Sequence, residues 1–138
     1  MKHLLIFPMA FYVFYMGTIL MLMFFTRVRG IKSGEVDFKF FKTYSTTRPL
    51  PDFMVAVGRH YDNQFQVPML FLVTCCTYMA LDQAGYVTAA LAWLFVLTRI
   101  IHSFIHLGSN KVMNRARIFG VGWIIIMVMW GILLANAI

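Results

Sequence analysis

Acidic side chains are scarce in this sequence: five Asp and Glu stand against twelve Lys and Arg among 138 residues, and only 12% of positions are charged. A soluble domain normally carries about a quarter charged residues. The shortage, with the long uncharged stretches it leaves, excludes an ordinary water-soluble fold. Cysteine is almost absent, and the two that occur, Cys75 and Cys76, are adjacent inside an apolar run. Neighbours cannot form an ordinary disulfide, and no C-x-x-C pattern exists for zinc or redox work; both read as small packing residues. Repeats and low-complexity stretches are missing too, and the length leaves no room for a separate soluble domain.

What is abundant is apolar and aromatic surface, at 61% and 17% of residues. A hydrocarbon core of about 30 Å takes about 20 apolar residues per helix, so the chain accommodates four spans with short connections. The first runs from about Leu4 to Phe25, 22 residues without a charge; it is longer than a signal-peptide core and is expected to be retained. Arg27 and Arg29 stop it, and a polar connection reaches about Asp52. A second helix is expected from Phe53 to Leu81, with a polar first part (Arg59, His60, Asp62, Asn63, Gln64, Gln66) and an apolar second part. Pro68 leaves the Gln64 carbonyl without a donor, which predicts a kink there. After the turn Asp82–Gly85, the third span covers Tyr86 to Leu107. A connection from Gly108 to Arg117 leads to the fourth, Ile118 to Leu134. The fold class is an all-α integral membrane protein: a single domain, residues 1–138, forming a four-helix transmembrane bundle.

Orientation follows from Lys and Arg near the span ends. Seven lie between Arg27 and Arg59, three more are Lys111, Arg115 and Arg117, and the remaining ends contribute only Lys2. Ten against one places the first and third connections in the cytosol and both termini outside it. The net charge of +7 therefore sits beside apolar spans. This favours anionic headgroups or an anionic small ligand as partner, not nucleic acid.

The spans are not uniformly apolar. Arg59, Asn63 and Gln66 recur at i, i+4 and i+7, and Arg99, His102 and His106 at i, i+3 and i+7, each set on one helical face; Ser103 and Asn110 flank the second. Arg99 falls about 4 Å from the midpoint of its helix at 1.5 Å per residue. An arginine so deep costs roughly 2.5–3.5 kcal/mol on insertion scales, so it must face protein or water and marks a functional site. One reading pairs it with Asp62 or with backbone carbonyls. The other notes that Arg29, Arg59, Arg99 and Arg115 all approach the same half-membrane region with Asp62 the one acid nearby, which suits an anionic ligand held by guanidinium forks. His102 and His106 at i, i+4 have metal-ligand spacing, but no carboxylate or cysteine completes the set and no metal is expected. Haem between His60 and His102 is a minor alternative.

The run Asn63-Gln64-Phe65-Gln66-Val67-Pro68-Met69-Leu70-Phe71 resembles the Asn-x-Phe-Glu-x-Pro-x-Leu-Phe segment in the second helix of bacterial MAPEG proteins, the membrane-associated proteins of eicosanoid and glutathione metabolism. The stretch Arg99-x-x-His102-Ser103-x-x-His106, followed by Asn110 and Arg115, resembles the family's third helix and the loop after it. The resemblance implies a homotrimer in a bacterial inner membrane that binds glutathione as co-substrate between subunits near the cytosolic face. It also implies transferase or peroxidase chemistry on a lipophilic electrophile, although some members bind lipids or act as structural subunits without catalysis. By the same resemblance Arg29 (with Arg27 the alternative), Arg59, Asn63, Gln66, Arg99, His102 and His106 bind glutathione, and Arg115 stabilises its thiolate. Three positions depart from the family: Gln66 stands for the usual glutamate, His106 for a tyrosine of well-studied members, and Ala116 for a serine of one branch.

Overall fold

The computed structural model describes residues 1, 3–44 and 49–137. Two basic residues counted above, Lys2 and Arg48, lie outside them. Among the described residues six helices follow one another: α1 His3–Lys32, α2 Phe40–Thr43, α3 Asp52–Asn63, α4 Val67–Ala80, α5 Tyr86–Leu107 and α6 Val112–Ala135. No strand occurs among the described residues. Three of the helices, α1, α5 and α6, are long and apolar enough to cross a membrane.

α5 occupies the expected third span, and α6 continues the expected fourth at its N-terminal end. Elsewhere the boundaries move, for identifiable reasons. Arg27 and Arg29 end the apolar run of the first span but not its helix, because neither side chain disrupts backbone hydrogen bonding. α1 goes on to Lys32 and stops at Gly34, whose φ of +74° supplies the left-handed cap that L-residues avoid. Its 30 residues measure about 45 Å, well beyond the apolar core. α3 packs along this overhang, sealed by Val36, Phe40 and Met54. Gly30 permits the approach, since a Cβ there would stand 3.2 Å from Val36 Cγ2. α6 likewise begins six residues before Ile118, so Arg115 and Arg117 belong to its first turns.

The expected continuous second helix is corrected to two. α3 ends at Asn63, Gln66 turns away at φ −102°, ψ −114°, and α4 starts with Pro68 in its first turn. Proline lacks the N–H that an interior position would need, and a first turn leaves that N–H unused. The chain therefore breaks where a kink was expected. The 14 residues of α4 reach about 21 Å, which is less than a bilayer core.

The core lies between α1, α4, α5 and α6. Phe71 and Phe95 stack at 4.4 Å, and Tyr12 meets both edge-on at 5.9 and 6.4 Å. Polar handles inside it are paired: Tyr78 donates to the Met129 carbonyl, and Trp130 Nε1 donates to Thr74 Oγ1 at 3.0 Å. Such pairing matters most where no water competes. Cys75 is buried in this core, Cys76 faces outward, and both are free thiols. Phe7, Phe14, Phe24 and Phe25 of α1 point away from the bundle, as expected for a surface solvated by lipid.

Candidate functional site

The i, i+3, i+4, i+7 face of α5 turns inward and buries Arg99, His102, Ser103 and His106 together. Arg99 is 3% exposed. Its guanidinium lies 5.3 Å from the ring centre of Phe95 and 5.2 Å from that of Phe119, both in the range of cation–π attraction. Nη2 reaches toward the Ile118 carbonyl at 3.5 Å, and Nε has no partner. Asp62 stays exposed on α3, and Arg99 has no carboxylate partner among the described residues. α6 makes room for the guanidinium at Gly122, where a Cβ would stand 2.6 Å from Nη2 and 3.2 Å from Thr98 Oγ1.

One turn along, a polar network joins three helices. Tyr12 of α1 donates to Gln64 Oε1 at 2.6 Å. The Gln64 amide nitrogen donates to the His60 carbonyl at 3.1 Å and lies 3.2 Å from His60 Nε2. That same ring nitrogen is 2.6 Å from Ser103 Oγ, which also bonds Tyr15 and the Arg99 carbonyl. The break after Asn63 is what lets Gln64 turn inward while Phe65 and Gln66 face out.

His60, fully buried, meets both histidines of α5. Its ring centre is 5.7 Å from that of His102, nearly parallel at 19°, and 5.2 Å from that of His106. One nitrogen from each of the three rings lies within 4.8 Å of the others. Two histidines at metal-ligand spacing, with no carboxylate or cysteine to complete the set, were too weak a signal for a metal to be expected. The tertiary fold supplies the third imidazole from α3.

The other expected site residues divide. Arg115 sits on the first turn of α6, where Nη1 donates to Asn110 Oδ1 at 2.7 Å. Asn110 takes a left-handed φ of +50°, which asparagine tolerates better than most residues. Arg115 stands within electrostatic reach of all three histidines, and Arg59 of His106. Arg59 is exposed and Asn63 half-buried. Gln66 does not share their helical face, because the helix ends before it; it caps α4 and is exposed. Arg29 lies apart, in a depression at the end of α1 with Glu35, Pro51 and Met54. Gln64, Tyr12 and Tyr15 were not singled out from the sequence. The His60–Gln64 spacing of four residues was the available signal for the first. The two tyrosines within an otherwise apolar span were the signal for the others.

Beside this cluster a cavity of about 650 Å³ opens between α1, α3 and α5, lined by Phe11, Ile19, Phe53, Ile100, Phe104 and Leu107, with the hydroxyls of Tyr15 and Ser103 as its polar points. Phe104 is 77% exposed and Phe11 45%, so the cavity mouth lies on the outer face of the bundle.

The model of the MAPEG family matches residues 5–135 of this chain. No curated protein matches it significantly, and no solved structure does.

Proposed function

The chain belongs to the MAPEG family, and on that premise we propose that it is a glutathione-dependent membrane transferase or peroxidase acting on lipophilic electrophiles. The observation that carries this reading is Arg99: a guanidinium buried in the bundle, held by two aromatic faces and, among the described residues, by no carboxylate. A cation in such a place is stabilised by an anion from outside the chain. Glutathione carries two carboxylates and one ammonium and suits a net-positive site. Arg59, Asn63 and Arg99 are assigned to binding, with Gln66, His102, His106 and Arg29 as further contacts. Arg115 is assigned to the sulfur, where a nearby guanidinium favours thiolate over thiol. The apolar cavity beside Tyr15 and Ser103 supports entry of the second substrate sideways from lipid.

The same reading includes a homotrimer, with α3 and α4 together making a fourth crossing and both termini outside the cytosol. Arg59, exposed on a single chain, is then covered by a neighbouring subunit. A second reading, non-catalytic lipid binding, draws on the cavity and on Gln66. An exposed amide replaces the glutamate that would hold the ammonium group, and it faces away from Arg99.

Thermal-shift titration of detergent-purified protein separates the two. Glutathione should raise the melting temperature, whereas a thiol lacking the carboxylates should not. No shift with glutathione, but a shift with a fatty acid or phospholipid, would favour the lipid-binding alternative.

A further inference from the structure

We propose that His60, His102 and His106 form a metal-ion site that binds Zn²⁺ through three imidazoles and leaves a fourth coordination position for an anion. Their exposures are 0%, 4% and 2%, and they come from two helices held against each other. Neither ring nitrogen of His102 or of His106, nor Nδ1 of His60, makes a hydrogen bond of good geometry, although backbone groups of Arg115 and His106 approach the His102 and His106 rings. Five buried ring nitrogens without a well-formed hydrogen bond are not what a packed histidine core looks like, since a buried donor or acceptor left poorly paired bears much of its desolvation penalty. A cation that accepts one lone pair from each ring removes that penalty at three of them.

The three rings are near enough to one another to close on a single ion. With Zn–N near 2.0–2.1 Å, three ligands of a tetrahedron stand about 3.3 Å apart, against the 4.8 Å limit observed here. Each nitrogen then moves by roughly 0.8 Å toward the common centre. Ser103 Oγ, 2.6 Å from His60 Nε2, accepts the N–H that the ring carries there when Nδ1 is the ligand, the kind of outer support that orients metal-bound imidazoles. The donor set is all imidazole, which suits Zn²⁺ and the neighbouring first-row dications and excludes Mg²⁺ and Ca²⁺. Arg99 and Arg115 both act electrostatically on this cluster, and they repel a bare dication. The fourth ligand is therefore assigned as an anion, such as hydroxide, which lowers the local charge and meets the guanidiniums favourably. Three histidines plus one exchangeable ligand is the pattern of a reactive zinc centre rather than a closed structural one.

The site shares His102 and His106 with the proposed glutathione contacts, so its test uses the metal alone, without glutathione. The full-length protein, purified in detergent through a tag without histidines and stripped with a chelator, is titrated with Zn²⁺ and separately with Co²⁺. One Zn²⁺ should be retained per chain through gel filtration, and Co²⁺ should give the visible bands of a tetrahedral complex. His102→Gln or His106→Gln should weaken binding at least about a hundredfold, and Ser103→Ala, which only positions His60, about tenfold. Loss of retained Zn²⁺ in the histidine variants, with helical circular dichroism unchanged, supports the site. Should either variant fail to fold, X-ray absorption at the zinc edge of the unmutated protein decides. A shell of three nitrogens near 2.0–2.1 Å is expected. Failure of the unmutated protein to retain Zn²⁺, retention unchanged by folded histidine variants, or a shell without nitrogen would overturn the proposal.

Discussion

Adding one methyl group at Gly122 tests how Arg99 is held. The new Cβ would stand 2.6 Å from Arg99 Nη2, 3.3 Å from Cζ and 3.2 Å from Thr98 Oγ1, where ordinary contact begins near 3.4 Å. The guanidinium must retreat by most of an ångström. Its freedom is limited, because Phe95 and Phe119 enclose it and the Ile118 carbonyl is already at 3.5 Å. Forcing a methyl into a packed site typically costs about 1–3 kcal/mol. Two other glycines of the same helix are internal controls: a Cβ at Gly120 or Gly131 would meet nothing within 4 Å. There alanine should be neutral or gain up to about 1 kcal/mol from helix propensity. Reversible unfolding of the three variants in detergent should place Gly122→Ala below both controls by about 1–3 kcal/mol. A double-mutant cycle isolates the cause. Against an Arg99→Met background, whose flexible thioether can yield, the Gly122→Ala penalty should largely vanish. Equal behaviour of all three alanine variants, or a penalty that persists without Arg99, would refute this packing of α5 on α6.

Truncating Arg59 or Arg99 to alanine should weaken glutathione binding roughly ten- to a hundredfold by calorimetry, the worth of a charge-assisted hydrogen bond of about 1.5–3 kcal/mol; unchanged affinity would remove these residues from the binding role. Arg115→Ala should leave affinity near normal at a pH where the bound thiol is neutral, while turnover and thiolate absorbance fall, and the opposite pattern would exchange the roles. Tyr12→Phe strips the 2.6 Å hydrogen bond from buried Gln64 Oε1 and should lower unfolding stability by about 1–3 kcal/mol; a neutral result would mean that Gln64 finds another donor. A C-terminal reporter active only in the cytoplasm should stay silent, given the ten-to-one distribution of Lys and Arg, and an active one would reverse the orientation. Native mass spectrometry in mild detergent should show three chains per particle, and a monomer would remove the intersubunit location of the site.

The apolar runs determined by themselves that the chain is helical and membrane-embedded, since a span without charges has one economical backbone structure in lipid. Periodicity determined which face of α5 turns inward: Arg99, His102 and His106 share it because 3.6 residues make a turn, whatever they pack against. Local rules were less reliable at ends. Arg27 and Arg29 marked the edge of the apolar run, but helix termination depends on backbone groups, and Gly34 provided the cap. Pro68 announced an interruption of the second helix without deciding between a kink and a break. In the structure it is a break, and the Gln64 side chain turns inward to Tyr12 and His60. That break overrode the shared face expected for Arg59, Asn63 and Gln66, because spacing has meaning only within one uninterrupted helix. The meeting of His60 with His102 and His106 was beyond any spacing rule. These residues are more than forty positions apart in the chain, and only the packing of α3 on α5 brings their rings within contact.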